Sequence, residues 1–193
     1  MKERKFSKSN YLITGIAGTG KTTVGECLAS KGFSVIEFDG FPSENISLNL
    51  DLRKHFDKRT GELSGFVRGS GWDELQHVEW KVDHEGLMTQ LDREKAEINF
   101  VSGYADNWPE FKNDFNGIFL LTTSPSIIEQ RLANRVNGDW GRIHPEELKH
   151  ALDTAEEFNS SILELGAIAI DTNQSVDDIA SQIISHASEA QKL

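Results

Sequence analysis

Short runs of consecutive apolar residues alternate along this chain with stretches in which apolar residues recur every three or four positions. Apolar runs of four to six residues are typical of buried strands, and the i, i+3, i+4 spacing is typical of covering helices. The runs that predict strands are residues 11–14, 33–38, 98–102, 117–121 and 166–170. Strands that alternate with helices predict a single α/β domain with a five-stranded parallel sheet between two helical layers.

Start and stop residues support the predicted helices. Proline is favoured in the first turn of a helix, and serine with an acid three residues later forms a capping box. Glycine is common just past a helix end. The predicted helices begin near Lys21, at Pro125, at Pro145 and after Ser175, and the first ends near Gly32.

The segment 41–96 interrupts the alternation of strands and helices. It is polar and contains the glycine-rich stretch "GELSGFVRGSGW". We interpret it as an insertion that covers the ligand-binding edge of the sheet. Its residues 52–68 hold five basic side chains, so Arg68, which lies between glycines, is a candidate contact for an anionic acceptor. A solvated surface is the alternative for the basic residues.

Composition narrows the classes of function. The 193-residue chain has 31 acidic and 20 basic side chains and a formal charge of −11, which disfavours nucleic acid and anionic membranes as partners. Its one cysteine, Cys27, excludes an internal disulfide. The first apolar run is interrupted at Gly15 and Lys21 and is too short to span a membrane. We therefore expect a cytoplasmic protein, and whether it is a monomer or a homodimer stays open.

Residues 15–22, "GIAGTGKT", match the pattern G-x-x-x-x-G-K-[ST] between a predicted strand and a predicted helix. Glycines let several backbone N–H groups approach phosphate oxygens, and the helix start adds its positive dipole end. Lys21 supplies a charge for the β and γ phosphates, and Thr22 offers a hydroxyl to Mg²⁺. The predicted nucleotide-binding residues in this P-loop are Gly15, Gly18, Thr19, Gly20, Lys21, Thr22 and Thr23.

The positions of the acidic residues indicate which kind of P-loop protein this is. Many P-loop ATPases and GTPases hold magnesium with an acid that ends a neighbouring strand. Neither 98–102 nor 117–121 ends in an acid, and the chain has no Asn-Lys-x-Asp segment. The acid appears instead at Asp39, which closes the second strand in "SVIEFDG". Asp39 is either a functional carboxylate or a turn residue before Gly40.

With "GIAGTGKT", "SVIEFDG" and "FVSGY", the sequence resembles the small P-loop kinases of metabolites. That group includes shikimate kinase, gluconate kinase and the nucleoside monophosphate kinases, within the AAA-type P-loop ATP-binding proteins. The resemblance implies a three-layer α/β/α P-loop NTPase fold and the use of Mg-ATP. It implies that Asp39 contacts the acceptor hydroxyl and, through water, the metal. By the same resemblance Gly103 and Tyr104 line the acceptor pocket.

"QRLANRVNGDWGR" resembles the lid of these kinases, which we place at residues 131–145. The resemblance implies that Arg131 stacks on the adenine and that Arg135 reaches the transferring phosphoryl group. Their i, i+4 spacing predicts one helix face. Solvated arginines paired with acids such as Glu129 are the alternative. "IDTNQSVDDI" resembles the loop around the adenine and makes Asn173 a candidate contact.

The sequence therefore predicts an ATP-dependent kinase that phosphorylates a small metabolite, either anionic or neutral. The predicted catalytic residues are Lys21, Asp39 and Arg135. The main alternative is a nucleotide-binding regulatory or assembly ATPase that acts with a protein partner. A kinase fold without activity is the third reading. The identity of the acceptor and the choice of ATP over GTP stay open.

Overall fold

The computed structural model of the protein describes residues 8–39, 46–64, 76–135 and 145–190. Its strands are β1 (Ser9–Thr14), β2 (Ser34–Glu37), β3 (Ser47–Leu48), β4 (Arg53–Asp57), β5 (Val78–Val82), β6 (Ile98–Ser102), β7 (Gly117–Thr122) and β8 (Ile168–Asp171). Its α-helices are α1 (Lys21–Ser30), α2 (His84–Arg93), α3 (Pro125–Ala133), α4 (Pro145–Glu164) and α5 (Val176–Ala190). Two 3₁₀ helices span Leu50–Leu52 and Trp108–Asp114.

The main sheet is parallel, with the strand order β3-β2-β6-β1-β7-β8. It has six strands where the apolar runs predicted five. The additional strand, β3, lies at the edge beside β2 and comes from the segment 41–96. A strand of two residues is too short to appear as an apolar run in the sequence. The predicted parallel α/β architecture is confirmed.

The two faces of the sheet carry two separate hydrophobic layers, because side chains alternate along each strand. One face packs against α1 and α5, and the other against α2, α4 and the second 3₁₀ helix. The first layer includes Tyr11, Ile13, Leu28, Phe100 and Ile183. The second includes Leu12, Phe38, Leu87, Trp108 and Ile162. Burial on both faces explains why these strands are continuously apolar in the sequence.

The predicted helix start at Ser175 is confirmed by its contacts. The Asp178 backbone N–H donates to Ser175 Oγ at 3.2 Å, and Ser175 Oγ lies 2.6 Å from Asp178 Oδ2. This serine satisfies one of the N–H groups that a helix start leaves without an intrahelical partner. No helix in the described ranges is long and apolar enough to cross a membrane.

Strands β4 and β5 form a separate antiparallel pair, which we call the β4–β5 ribbon. His55 lies opposite Trp80, and Arg53 lies opposite Val82. Val82 is buried in the second hydrophobic layer, so the ribbon face that carries it packs on the main domain. Trp80 and His55 share that face, because they lie two positions from Val82 and Arg53 along the strands. The end of the ribbon that carries Val82 is thus anchored on the main domain.

Candidate active site

The P-loop connects β1 to α1 at the carboxyl edge of the sheet. Gly15, Gly18 and Gly20 have φ angles of 154°, 83° and 97°. Gly20 is the residue before the helix and adopts the left-handed conformation, which a residue with a Cβ rarely takes. This turn sends the first N–H groups of α1 toward the loop, where a phosphate would accept their hydrogen bonds.

Lys21 connects the P-loop to the end of β2. Its Nζ donates to Gly15 O at 2.8 Å and to Ile16 O at 3.3 Å. The same Nζ lies 3.7 Å from Asp39 Oδ2, and both side chains are largely buried. The structure therefore brings together two residues predicted as catalytic, one at the start of α1 and the other just after β2, 18 positions apart in the sequence.

Asp39 is also held by the turn after β6. The Tyr104 backbone N–H donates to Asp39 Oδ2 at 2.8 Å, so the structure brings these two residues together, and their contact with an acceptor stays a prediction. Gly103 has a steric role in this turn, because a Cβ there would lie 2.3 Å from the Phe38 ring. Its contact with an acceptor stays a prediction.

Glu37 is a site residue that the sequence analysis missed. Thr22 Oγ1 donates to Glu37 Oε1 at 2.6 Å, and Glu37 is fully buried. Glu37 Oε2 has no hydrogen-bond partner in the described structure, and the same holds for Ser102 Oγ on the opposing residue of β6. Burial raises the pKa of Glu37 to about 7, although the Thr22 hydroxyl opposes this shift. The signal in the sequence was the spacing Glu-x-Asp at the end of β2.

These oxygens suit a magnesium ion that is held jointly with a nucleotide. Mg²⁺ prefers oxygen ligands, and proteins usually hold it with one or two carboxylates or hydroxyls plus phosphate oxygens and water. In the described ranges, no three His, Cys, Asp or Glu side chains gather as a metal site of their own. Thr22 supplies a hydroxyl and Glu37 supplies a carboxyl group whose buried Oε2 has no hydrogen-bond partner in the described structure. These two residues fit the protein ligands of such a site, in which phosphate oxygens and water would supply the others.

The buried carboxyl of Glu37 leads to a prediction for stability. Its pKa in the folded protein, about 7, lies above the value of 4.5 expected for an exposed carboxyl. The contribution of Glu37 to the stability of the folded state is thus fully present below about pH 4.5 and is lost as pH rises to about 7. The loss is about 3 kcal/mol, since one pKa unit corresponds to 1.36 kcal/mol. Glu37→Gln removes this dependence.

We expect the melting temperature of Glu37→Gln to rise relative to that of the wild type between pH 5.5 and pH 8, both measured without ligands. Differential scanning calorimetry measures both proteins. Glu164→Gln is a matched control, because Glu164 is an exposed residue of α4 and is not among the groups that shift the pKa of Glu37. A difference that is constant between the two pH values would contradict a buried, neutral Glu37.

Arg131 bridges the P-loop and the loop after β8. Its Nη1 donates to Thr172 Oγ1 at 2.9 Å and lies 3.3 Å from Gly18 O and 3.4 Å from Thr19 O. Its Nη2 donates to Thr172 O at 2.7 Å. The guanidinium group therefore holds together two loops at the nucleotide side of the site. Stacking of Arg131 on adenine stays a prediction, and the buried Thr172 was missed by sequence analysis.

Of the two predicted lid arginines, Arg131 lies within helix α3 and Arg135 lies after its end. Helix α3 ends at Ala133, so Arg135 lies two residues beyond it, and its N–H donates to Leu132 O at 3.2 Å. Asn173 is exposed, and its N–H donates to Asp171 Oδ1 at 2.9 Å in a local turn. Roles for Arg135 and Asn173 stay predictions. Arg68 and most of the predicted lid, residues 136–144, lie outside the described residues.

Comparison with solved structures places this fold among small P-loop kinases. A shikimate kinase from Acinetobacter baumannii, in complex with shikimate, is 19% identical with a TM-score of 0.56, over 94% of each chain. A gluconokinase from Sinorhizobium meliloti 1021 is 21% identical with a TM-score of 0.53, over 98% of this chain and 96% of that one. A deoxyadenosine kinase from M. mycoides with bound dATP is 14% identical with a TM-score of 0.53, over 93% and 99%.

The similarity extends over nearly the whole chain. The predicted three-layer P-loop fold is confirmed. No protein-family model matches the sequence. At these identities the comparisons establish the fold, and the chemistry of this chain has to be argued from its own residues.

Proposed function

We propose that this protein is an ATP-dependent phosphotransferase that phosphorylates a small metabolite. The observation that carries the proposal is the approach of Lys21 Nζ to Asp39 Oδ2 at 3.7 Å. Lys21 belongs to the phosphate-binding loop, and Asp39 lies just after β2, next to the Tyr104 turn. A cation for the transferred phosphoryl group and a carboxylate for the attacking hydroxyl thus lie side by side.

The transfer would break the bond between the γ phosphorus and the oxygen that bridges to the β phosphate. A new bond would form between that phosphorus and the acceptor oxygen, and ADP would leave. Asp39 would orient the acceptor hydroxyl and take its proton. Lys21 would stabilise the charge on the phosphoryl oxygens. Thr22 and Glu37 are the residues that would hold Mg²⁺, which neutralises phosphate charge when bound.

We place the acceptor between Asp39 and the β4–β5 ribbon. The Trp80 ring on the inward ribbon face lies 4.4 Å from the His55 ring and 4.7 Å from the Arg53 guanidinium, measured between centres. Burial, with the charge of Arg53, lowers the pKa of His55 to about 4. His55 is therefore neutral near pH 7 and offers hydrogen bonds rather than charge. Such a wall suits a ring-shaped or hydroxyl-bearing acceptor.

A thermal-shift screen of hydroxyl acids, polyols and nucleosides, each with a non-hydrolysable ATP analogue and Mg²⁺, would test this function. An acceptor that binds the folded protein raises its melting temperature by mass action. We expect at least one compound to do so and then to stimulate ADP release and appear as its phosphate ester by mass spectrometry. ATP turnover that responds to a macromolecule alone would favour the regulatory or assembly ATPase instead.

A further inference from the structure

Two neighbouring residues, Asp106 and Asn107, complete the outer edge of strand β5. The Trp80 N–H donates to Asp106 Oδ2 at 2.8 Å, and the Asp106 N–H donates to Trp80 O at 2.7 Å. One pair further along, the Val82 N–H donates to Asn107 Oδ1 at 3.0 Å, and Asn107 Nδ2 donates to Val82 O at 3.1 Å. These four hydrogen bonds pair the outer edge of β5 as a third strand would, and they attach the ribbon to the turn that follows β6.

The Asn107 side chain contacts only Val82 among the hydrogen bonds of the described residues, whereas the Asp106 side chain also contacts a residue next to the active site, Tyr104. The Tyr104 hydroxyl donates to Asp106 Oδ1 at 2.6 Å, while the Tyr104 backbone N–H donates to Asp39 Oδ2. The Tyr104 ring packs against Phe158 of α4 at 4.8 Å between centroids. Tyr104 is thus held at its hydroxyl, its ring and its backbone, which leaves its N–H little freedom to turn away from Asp39.

We propose that Asp106 is a positioning residue that sets both the ribbon and the Asp39 carboxylate in place. Its two oxygens each accept one hydrogen bond, one from the ribbon and one from the residue that binds Asp39. This inference rests on the proposed function for its catalytic meaning, since it assumes that Asp39 orients the acceptor. Asp106 acts through Tyr104 and Trp80, so it determines where the ribbon face that carries Trp80 lies relative to the attacking oxygen of the acceptor.

The chemistry of the contacts favours a carboxylate at position 106. A charged acceptor forms stronger hydrogen bonds than a neutral one, and Tyr104 and Trp80 both present donors. Burial and the adjacent Asp106 raise the pKa of the Tyr104 hydroxyl, so it keeps its proton and stays a donor. Alanine would leave the Tyr104 hydroxyl and the Trp80 N–H without these acceptors.

Amide hydrogen exchange, resolved by NMR in the full-length protein without ligands, tests this arrangement. In Asp106→Ala we expect the Tyr104 and Trp80 amides to exchange about tenfold faster than in the wild type, which corresponds to 1.4 kcal/mol. In Asn107→Ala we expect faster exchange at Val82 and unchanged exchange at Tyr104. In Tyr104→Phe we expect faster exchange at residue 104 and unchanged exchange at Trp80.

Amides of the central strand β1 serve as the internal reference for global stability. If the Tyr104 amide in Asp106→Ala keeps its wild-type rate, or accelerates only in step with β1, the positioning role is refuted. Asp106→Asn is the second variant, to be used if Asp106→Ala folds poorly. It keeps the shape of the side chain and one acceptor oxygen, so we expect the Trp80 amide to keep its protection from exchange. In Asp106→Asn, faster exchange at the Tyr104 amide together with the wild-type rate at the Trp80 amide supports the role, because the single amide oxygen can accept only one of the two hydrogen bonds.

A second readout connects the contact to catalysis. With an acceptor from the screen, Asp106→Ala should lower kcat and raise the acceptor KM while the affinity for a non-hydrolysable ATP analogue stays at the wild-type value. A merely structural role would weaken nucleotide and acceptor binding alike. Because the exchange measurement needs neither ligand, a failure of the proposed function would leave its outcome unchanged, and the two failures can be distinguished.

Discussion

Replacing Lys21 by methionine is expected to reduce phosphotransfer by about a thousandfold, the upper range for loss of one group that stabilises transition-state charge. Methionine keeps most of the length and the apolar stem of the buried side chain, so the change removes mainly the ammonium group. Its loss also removes the donor to Gly15 O and the cation 3.7 Å from Asp39. The negative charge of the phosphoryl group in the transition state would then be less well neutralised.

The measurement is acceptor-dependent ADP release at saturating ATP, with the melting temperature recorded in parallel. Lys31→Met is the matched control. Lys31 lies just past the end of the same helix and pairs with the exposed Asp177 at 2.8 Å. We expect the control to transfer phosphate at the wild-type rate. A Lys21→Met protein that folds and keeps full activity would refute the assignment of the P-loop as the transfer site.

Replacing Asp39 by asparagine is expected to lower kcat by about a hundredfold to ten-thousandfold, the usual contribution of general acid–base catalysis. An amide cannot take the proton of an attacking hydroxyl at neutral pH. Its oxygen can still accept the Tyr104 N–H, so the turn after β6 should keep its conformation. The loss should therefore appear in kcat, with little change in nucleotide affinity.

Comparison with Glu37→Gln separates the acceptor side of the site from its metal side. Glu37 contacts the Thr22 hydroxyl, whereas Asp39 contacts Lys21 and the Tyr104 N–H. Titration of the rate with Mg²⁺ should show a higher requirement in Glu37→Gln and an unchanged one in Asp39→Asn. If Asp39→Asn needed more Mg²⁺ and reached the wild-type rate at saturating Mg²⁺, while Glu37→Gln needed no more than the wild type, then Asp39 would act on the metal and not on the acceptor.

Local sequence was sufficient for the P-loop. The pattern of 15–22 constrains the turn through glycines and places Lys21 and Thr22 at the start of a helix, and all of these contacts are short-range. The helix start at Ser175 was equally predictable, because a capping box is formed within four residues. The i, i+4 spacing of Arg131 and Arg135 did not indicate that α3 ends at Ala133, between the two residues.

The sequence by itself determined the parallel α/β fold and the nucleotide loop, because hydrophobic periodicity and glycine-rich turns depend on near neighbours. It also indicated Asp39, through its place at a strand end. Only the tertiary structure decided that Glu37 lies against Thr22 and that Asp106 connects Tyr104 to the ribbon. These polar contacts join segments that the sheet order brings together, and their hydrogen bonds leave no periodic pattern in the sequence.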